Sequence, residues 1–221
     1  AELPPEARLT DEDARDALAA ALLHDLGHGP YSHLFEEVTP AATRHERWSV
    51  AIVQDDGTDV HRALEALSRG MTDRVVALLE GTHPKGWLAR SVSGALDVDR
   101  LDYLLRDGHM TGVRYGFLDV DWVLRALRFA ELPAGERVLA IEGRKGLPPF
   151  EAYFLGRHFM YEQVYHHKAT RAAELLVRGV FRRVAELTLD GRTPAALPPA
   201  LEGAVLGRAV SVTDYLRLDD E

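Results

Sequence analysis

HDLGHGPYSHLFE, at residues 24–36, is the densest run of functional side chains in this sequence. Adjacent His24 and Asp25 at the end of a helix can point toward one ion where the backbone beyond them bends, and together they supply a nitrogen and an oxygen ligand. His28 follows one helical turn later between two glycines, which let the backbone approach a water or a phosphate closely. The run therefore indicates a site for a divalent metal ion.

Simpler explanations exist for the same residues. A histidine followed by an aspartate occurs by chance in many chains. His28 could cap a helix C-terminus, where a cation is favoured, and His33 could be a half-exposed core histidine. Four functional side chains within this one run, around a Gly-Pro corner, make the metal site and the simpler explanations about equally supported at this point.

Apolar spacing outside this run is mainly helical. Thr10, followed by three acidic residues, predicts an N-cap. We predict a buried helix after it, with His24 and Asp25 in its last turn and an apolar component made of Ala14, Leu18, Ala21 and Leu22. Further helices are predicted at about 31–38, 42–54, 60–67, 72–79, 95–107 and 149–187, with a last short helix ending near 216. We expect Gly108 and Gly112 to stop the helix over 95–107.

The region between 122 and 146 departs from the helical pattern. Two short strands are predicted at 124–132 and 137–141, joined across Pro133 to Gly135. The predicted fold class is all-α, with a small β-hairpin at about 124–146. No internal repeat is evident.

Composition narrows the possible functions. The 221 residues are 46% hydrophobic and 28% charged, with a formal net charge of -9. This acidic balance does not favour a nucleic-acid partner, although a single strand in a local basic groove stays open. Because there are no cysteines, histidines and carboxylates are the protein ligands left for a metal. Apolar runs such as 17–23 are too short to span a membrane and no signal peptide is evident, so we expect a soluble, cytoplasmic protein without membrane contact.

Three more stretches carry candidate functional groups. His45-Glu46 lies in a predicted helix, where a solvated face is the simpler explanation. In DVDRLDYLLRD, at 97–107, the side chains of Asp99, Tyr103 and Asp107 are four residues apart and share one helix face, with Arg100 beside them. Asp102 and Arg106 are interpreted as a surface ion pair.

The last stretch contains a cation and phenols on one helix face. Arg157, Tyr161 and Tyr165 are spaced by four residues, and His166, His167 and Lys168 follow directly. A guanidinium can bind phosphate through its planar fork of donors. Aromatic packing beside a solvated cation explains the spacing equally well.

Taken in order, the four stretches resemble the HD-domain dNTP triphosphohydrolases of the HD-domain phosphohydrolase superfamily, which include bacterial dNTPases and the vertebrate enzyme that also carries a sterile alpha motif. The family stretches read HDLGHGPFSH-x-F-[DE], HE, DVD-[KR]-x-DY-x-x-RD, and an arginine followed by Y-x-HK. The similarity covers roughly residues 10–190 and implies an HD-domain helical bundle.

The resemblance also implies a role for each matching position. The implied metal ligands are His24, Asp25 and Asp99. The implied catalytic group consists of His28, His33, Glu36 and His45, with His33 protonating the leaving oxygen. The implied substrate-binding residues are Asp97, Arg100, Tyr103, Asp107, Arg157, Tyr165 and His166. Arg100 and Arg157 resemble phosphate contacts, and Tyr103 resembles the residue that packs against deoxyribose.

The implied reaction is hydrolysis of dNTPs to deoxynucleoside and inorganic triphosphate, by attack of a metal-bound water on the α-phosphorus. Mn2+ is the expected cofactor, and Mg2+, Fe, Co2+, Ni2+ or Zn2+ suit the same ligands. His167 and Lys168 resemble positions used for regulatory nucleotides in relatives. The resemblance also implies a homo-oligomer.

One family feature is missing. Relatives carry a first histidine ligand upstream of the His-Asp pair, but residues 1–23 contain no histidine. We expect that helix to precede this sequence, with the phosphohydrolase core at 1–192 and a linker plus the start of a C-terminal helical segment at 193–221. Two alternatives stay open, namely an HD hydrolase of another phosphoester, such as an oligonucleotide or signalling nucleotide, and a nucleotide sensor without catalysis.

Overall fold

The fold is an assembly of helices with one small hairpin. The computed structural model describes residues 8–39, 43–195 and 197–219. Its helices are α1 Asp11–Leu23, α2 His33–Val38, α3 His45–Gln54, α4 Asp59–Leu67, α5 Met71–Leu79, α6 Gly86–Val92, α7 Val98–Thr111, α8 Val120–Ala126, α9 Leu147–Met160, α10 Lys168–Leu189, α11 Pro199–Val205 and α12 Val212–Tyr215. Strands β1 Leu127–Glu131 and β2 Arg137–Ile141 pair antiparallel. The predicted all-α class with a hairpin is confirmed, and no described helix is long and apolar enough to cross a membrane.

The buried side of α1 is not the predicted one. Thr10 does cap the helix, in a reciprocal capping box with Asp13. However, Leu18 and Leu22 are 73% and 82% exposed, while Asp16 and Ala20 are buried. The Asp16 carboxylate pairs with the Arg74 guanidinium of α5 at 2.6 Å. Because this pair and the small Ala20 face α5, the helix is rotated away from its leucine stripe.

The buried side chains form three clusters. One joins α1 to α3–α6, around residues such as Val75 and Trp87. The second packs α7–α9 around Leu104 and Tyr153. The third joins α2 and α3 to α10–α12, so the C-terminal segment packs directly against the first half of the chain. The domain boundary predicted after residue 192, between the core and the C-terminal segment, stays a prediction.

Several predicted helix limits are wrong, each for a local reason. The helix predicted over 95–107 continues to Thr111, where Gly112 caps it with a left-handed φ of 75°, as expected for one of the two predicted stops. Gly108 does not stop the helix and instead allows close packing, since a Cβ there would lie 3.1 Å from the Gly116 Cα. The first strand begins at Leu127 because residues 124–126 belong to α8. Residues 86–92, which lie between two of the predicted helices, form the additional helix α6.

Two further helix starts and one long helix also differ from prediction. The helix expected from 31 begins at His33, since Tyr31 and Ser32 have positive φ angles of 60° and 53°. The start predicted at 42 lies outside the described residues, and α3 begins at His45. The continuous helix predicted over 149–187 is interrupted by a π-helical turn at Tyr161–Tyr165, and the His167 side chain caps a new helix, α10.

Candidate active site

The first functional cluster joins the end of α1 to the start of α7. His24 is the C-cap of α1 and Asp25 lies in the turn beyond it. Both residues therefore follow the last helical turn, in which they were predicted to lie. The His24 Nε2 atom lies 3.3 Å from Asp25 Oδ1 and 3.6 Å from Asp99 Oδ1. The structure therefore brings together the three residues expected to bind metal.

The donor atoms of this cluster suit a divalent cation. The His24 Nδ1 atom contacts the Ala21 carbonyl at 2.9 Å, which directs the Nε2 lone pair toward the two carboxylates. Nε2 is buried and has no hydrogen-bond partner among the described residues. Burial raises the pKa of Asp99, as do the charges of Asp25 and Asp97, whereas His24 and Arg100 oppose that rise. One nitrogen facing two crowded carboxylate oxygens is an arrangement that a cation would stabilise.

A second cluster surrounds the Glu36 carboxylate. Its Oε1 atom lies 2.6 Å from His45 Nδ1, 3.8 Å from His33 Nδ1 and 4.0 Å from His28 Nδ1. The rings of His28 and His45 stack with their centroids 3.9 Å apart. The Nε2 atoms of these two histidines are each 3.7 Å from Asp25 Oδ1, so the clusters are adjacent.

Electrostatics distinguishes the members of this second cluster. Burial raises the pKa of Glu36, but the hydrogen bonds from His45 outweigh it and hold that pKa below its ordinary value. Burial and the neighbouring His45 lower the pKa of His28, although Asp25 partly opposes them. The His33 side chain is 71% exposed, at the open side of the cluster. The geometry thus supplies an ionised carboxylate, a neutral half-buried imidazole and an accessible imidazole.

Close backbone approach around the glycines makes this arrangement possible. A Cβ at Gly27 would lie 2.1 Å from the His45 carbonyl oxygen, and one at Gly29 would lie 2.6 Å from the Phe35 ring. The positive φ angles of Tyr31 and Ser32 then turn the chain into α2. The glycine-rich corner therefore packs directly on α2 and α3.

Both clusters open into one cavity of about 810 Å³. This volume lies within the range of about 300–1,000 Å³ typical of ligand pockets. The predicted site residues that line it are His24, Asp25, His28, His33, His45, Asp97, Asp99, Arg100, Tyr103, Asp107 and Tyr165. Tyr161 also lines it; the spacing of four had placed it on the same face as Tyr165, but no role was assigned to it.

The wall away from the metal-capable cluster carries phenols and a cation. The Tyr165 hydroxyl donates to Asp107 Oδ2 at 2.7 Å, and the Tyr103 and Tyr165 ring centroids are 6.2 Å apart. The Arg157 guanidinium lies close to the Tyr103 hydroxyl and over the Tyr161 ring, 5.1 Å from the centroid. Burial raises the pKa of Tyr103 and of Tyr165, so both hydroxyls stay protonated.

Three of the predicted substrate-binding residues either are engaged in contacts within the protein or lie outside the cavity lining. The Asp97 carboxylate is 3% exposed and accepts hydrogen bonds from the amides of Arg100 and Gly94, capping α7. Asp97 also pairs with the Arg100 side chain. His166 is exposed beside Tyr161 and, like Arg157, is not among the described residues lining the cavity. Substrate contacts for these residues stay predictions.

Two exposed charged residues at the cavity had no role in the sequence prediction. Arg44 and Glu46 form an ion pair at 3.0 Å, with side chains 75% and 51% exposed. Their proximity to His45 was visible in the sequence, but the simpler interpretation of a solvated helix face applied to them. The predicted surface pair of Asp102 with Arg106 is present on α7.

The fold and the paired clusters define a helical protein with a metal-capable histidine and carboxylate centre. Residues 2–107 match the family model for the HD domain, and that range contains every residue of both clusters. Residues 2–107 therefore form an HD domain. HD domains bind divalent metals, in agreement with the donor atoms found here.

Comparison with known proteins agrees with this assignment. The chain is 35% identical to the uncharacterized protein YwfO of Bacillus subtilis over 95% of this chain and 46% of that protein. It is 25% identical to human deoxynucleoside triphosphate triphosphohydrolase SAMHD1, over 81% of this chain and 33% of that protein. A phosphohydrolase from Bacteroides thetaiotaomicron superposes with a TM-score of 0.76 at 30% identity, over 96% of this chain and 51% of that structure. The chain thus spans about half the length of these relatives, or less.

Proposed function

We propose that this chain contains the active site of a metal-dependent phosphohydrolase that cleaves dNTPs to deoxynucleoside and inorganic triphosphate. The observation that carries the proposal is the single cavity shared by the His24, Asp25 and Asp99 cluster, the histidine cluster and the Tyr103 and Tyr165 wall. Similarity to proteins named deoxynucleoside triphosphate triphosphohydrolase supports the substrate class. The uncharacterized relatives neither support nor oppose this substrate class.

His24, Asp25 and Asp99 would hold the cation. Once bound, a divalent ion supplies Lewis acidity toward a phosphoryl oxygen and lowers the pKa of water. His24 contributes its Nε2 lone pair, because Nδ1 is engaged with the Ala21 carbonyl. Mn2+ is the proposed ion, since mixed imidazole and carboxylate ligands suit it.

The histidine cluster around Glu36 is proposed to accept and donate the protons that move during hydrolysis. Glu36 accepts a hydrogen bond from His45 Nδ1, which leaves His45 Nε2 directed toward Asp25 and the cavity. His28, kept neutral by burial, can accept a proton from the attacking water. His33 is exposed and can donate a proton to the oxygen that leaves with the sugar.

The opposite wall selects the substrate. Arg100 lines the cavity beside Asp99 and is proposed to contact phosphate oxygens. The same contact is proposed for Arg157 from the family resemblance alone, since Arg157 lies behind Tyr103 and does not line the cavity. The Tyr103 ring is proposed to pack against deoxyribose and to leave little room for a 2'-hydroxyl. The Tyr165 hydroxyl, held by Asp107, is proposed to contact the sugar from the other side.

The test is release of inorganic triphosphate from each dNTP with Mn2+, compared between Asp99→Asn and Asp102→Asn. Asp99 faces the His24 imidazole, whereas Asp102 lies on the same helix but pairs with Arg106 at the surface. We expect Asp99→Asn to abolish activity and Asp102→Asn to retain it. A panel of NTPs, oligonucleotides and guanosine polyphosphates tests the substrate class.

Three outcomes contradict the proposal in different ways. Activity retained by Asp99→Asn would exclude the proposed metal site. Turnover of another phosphoester in place of dNTPs would reassign the substrate. Binding of dNTP to the metal-loaded protein with no product formed would indicate a sensor.

A further inference from the structure

A buried serine closes the turn that carries His24 and Asp25. Ser49 of α3 donates its hydroxyl proton to the His24 carbonyl at 2.6 Å and accepts a hydrogen bond from the Gly27 amide at 2.9 Å. The side chain is 1% exposed, so both hydrogen bonds are shielded from solvent. One hydroxyl therefore connects the two ends of the turn.

A tyrosine from the far end of the chain holds the same turn. The Tyr215 hydroxyl, from α12, donates to the Gly27 carbonyl at 2.7 Å. Its ring stacks on Trp48 of α3 with the centroids 3.9 Å apart and the planes at 7°. Burial raises the pKa of Tyr215 to about 12, so the hydroxyl keeps the proton that it donates.

These contacts couple the turn to the histidine cluster. A Cβ at Gly27 would lie 2.1 Å from the His45 carbonyl oxygen and 2.3 Å from the Ser49 nitrogen, so the turn rests on the backbone of α3. Ser49 follows His45, the first residue of that helix, by one turn. Helix α3 therefore carries both His45, whose Nε2 lies 3.7 Å from Asp25 Oδ1, and the serine that holds the turn.

We infer that Ser49 and Tyr215 are positioning residues for the metal ligands His24 and Asp25, an inference that rests on the proposed metal-dependent function. Removing either hydroxyl leaves a buried backbone group of the turn without its partner. The turn then relaxes, and His24 Nε2 and the Asp25 carboxylate converge less well with Asp99. Metal affinity falls although no ligand has changed.

The experiment compares Ser49→Ala and Tyr215→Phe with Thr58→Val. The Thr58 hydroxyl is a matched control, since it is buried, donates to the Ile52 carbonyl and accepts from the His61 amide, but holds a different turn. Titration calorimetry with Mn2+ alone gives the dissociation constant, and thermal unfolding in EDTA gives the stability. Tyr215→Phe keeps the ring stacked on Trp48, so it tests the hydroxyl without emptying the core.

We expect Ser49→Ala to weaken Mn2+ binding about 10-fold, and Tyr215→Phe to weaken it in the same direction. Thr58→Val should lower the melting temperature comparably while Mn2+ affinity stays within about twofold of wild type. Unchanged affinity in both test variants, or an equal loss in Thr58→Val, overturns the inference. Because no substrate is present, wild-type protein that binds Mn2+ but cleaves no dNTP overturns only the proposed function.

Discussion

The Glu36 carboxylate contacts three histidines that come from the glycine-rich corner, α2 and α3. Its short hydrogen bond to His45 Nδ1 selects one tautomer of that imidazole. Glu36 itself is not among the described residues lining the cavity. At the residue scale, we therefore propose that this side chain acts through the histidines.

Glu36→Gln tests this role. The amide keeps the size of the side chain but loses the charge that favours a proton on His45 Nδ1. We expect kcat to fall by about 100-fold while KM changes much less, measured by steady-state triphosphate release. The control is Glu37→Gln, since Glu37 pairs with Arg178 at the surface and should keep wild-type kcat. A similar loss in both variants would contradict a specific role for Glu36.

At the scale of elements, glycines in this chain serve different purposes, and the sequence does not distinguish them. Gly27 and Gly108 allow one backbone to lie against another, whereas a Cβ added at Gly179, inside α10, would meet no heavy atom of the described residues within 4 Å. The expected stop at Gly108 was wrong because glycine predicts a helix end and close packing equally well.

Opposite stability changes are expected for two glycine-to-alanine variants. Gly27→Ala forces the turn off α3 and should reduce the free energy of unfolding by about 1–3 kcal/mol. Gly179→Ala adds a methyl group to an open helix surface and should increase it by about 0.5–1 kcal/mol. Urea denaturation followed by circular dichroism measures both. An unchanged free energy of unfolding in Gly27→Ala would contradict this prediction and show that the turn can move without loss of stability.

At the scale of the whole molecule, ion pairs join segments that are distant in the chain. Asp13 completes the capping box of α1 and also pairs with Lys85, the residue before α6. Burial opposes ionisation of Asp13, but the hydrogen bonds from Lys85 and Thr10 outweigh it and lower its pKa to about 2. The folded-state pKa is thus below the ordinary value of 3.8.

This depressed pKa predicts a pH-dependent contribution to stability. The stabilisation is fully present above about pH 4 and is lost as the pH falls through about 2. Asp13→Asn should therefore lower the melting temperature at neutral pH, and its difference from wild type should shrink between about pH 4 and 2. Asp11→Asn, in the same first turn but outside the capping box, should show a much smaller difference. A constant difference across this range would contradict the linkage.

The sequence by itself determined the helical class, the hairpin and the identity of the groups in both clusters. It could do so because apolar periodicity, capping residues and the motif at 24–36 are local properties of the chain. Only the tertiary structure decided the rotation of α1, since the face packed on the other helices contains Asp16, paired with Arg74 of α5, and Ala20, whereas Leu18 and Leu22 lie on the opposite face. The tertiary structure likewise decided the closure of the His24 turn by Tyr215, because no local pattern records a hydrogen bond between residues 188 positions apart.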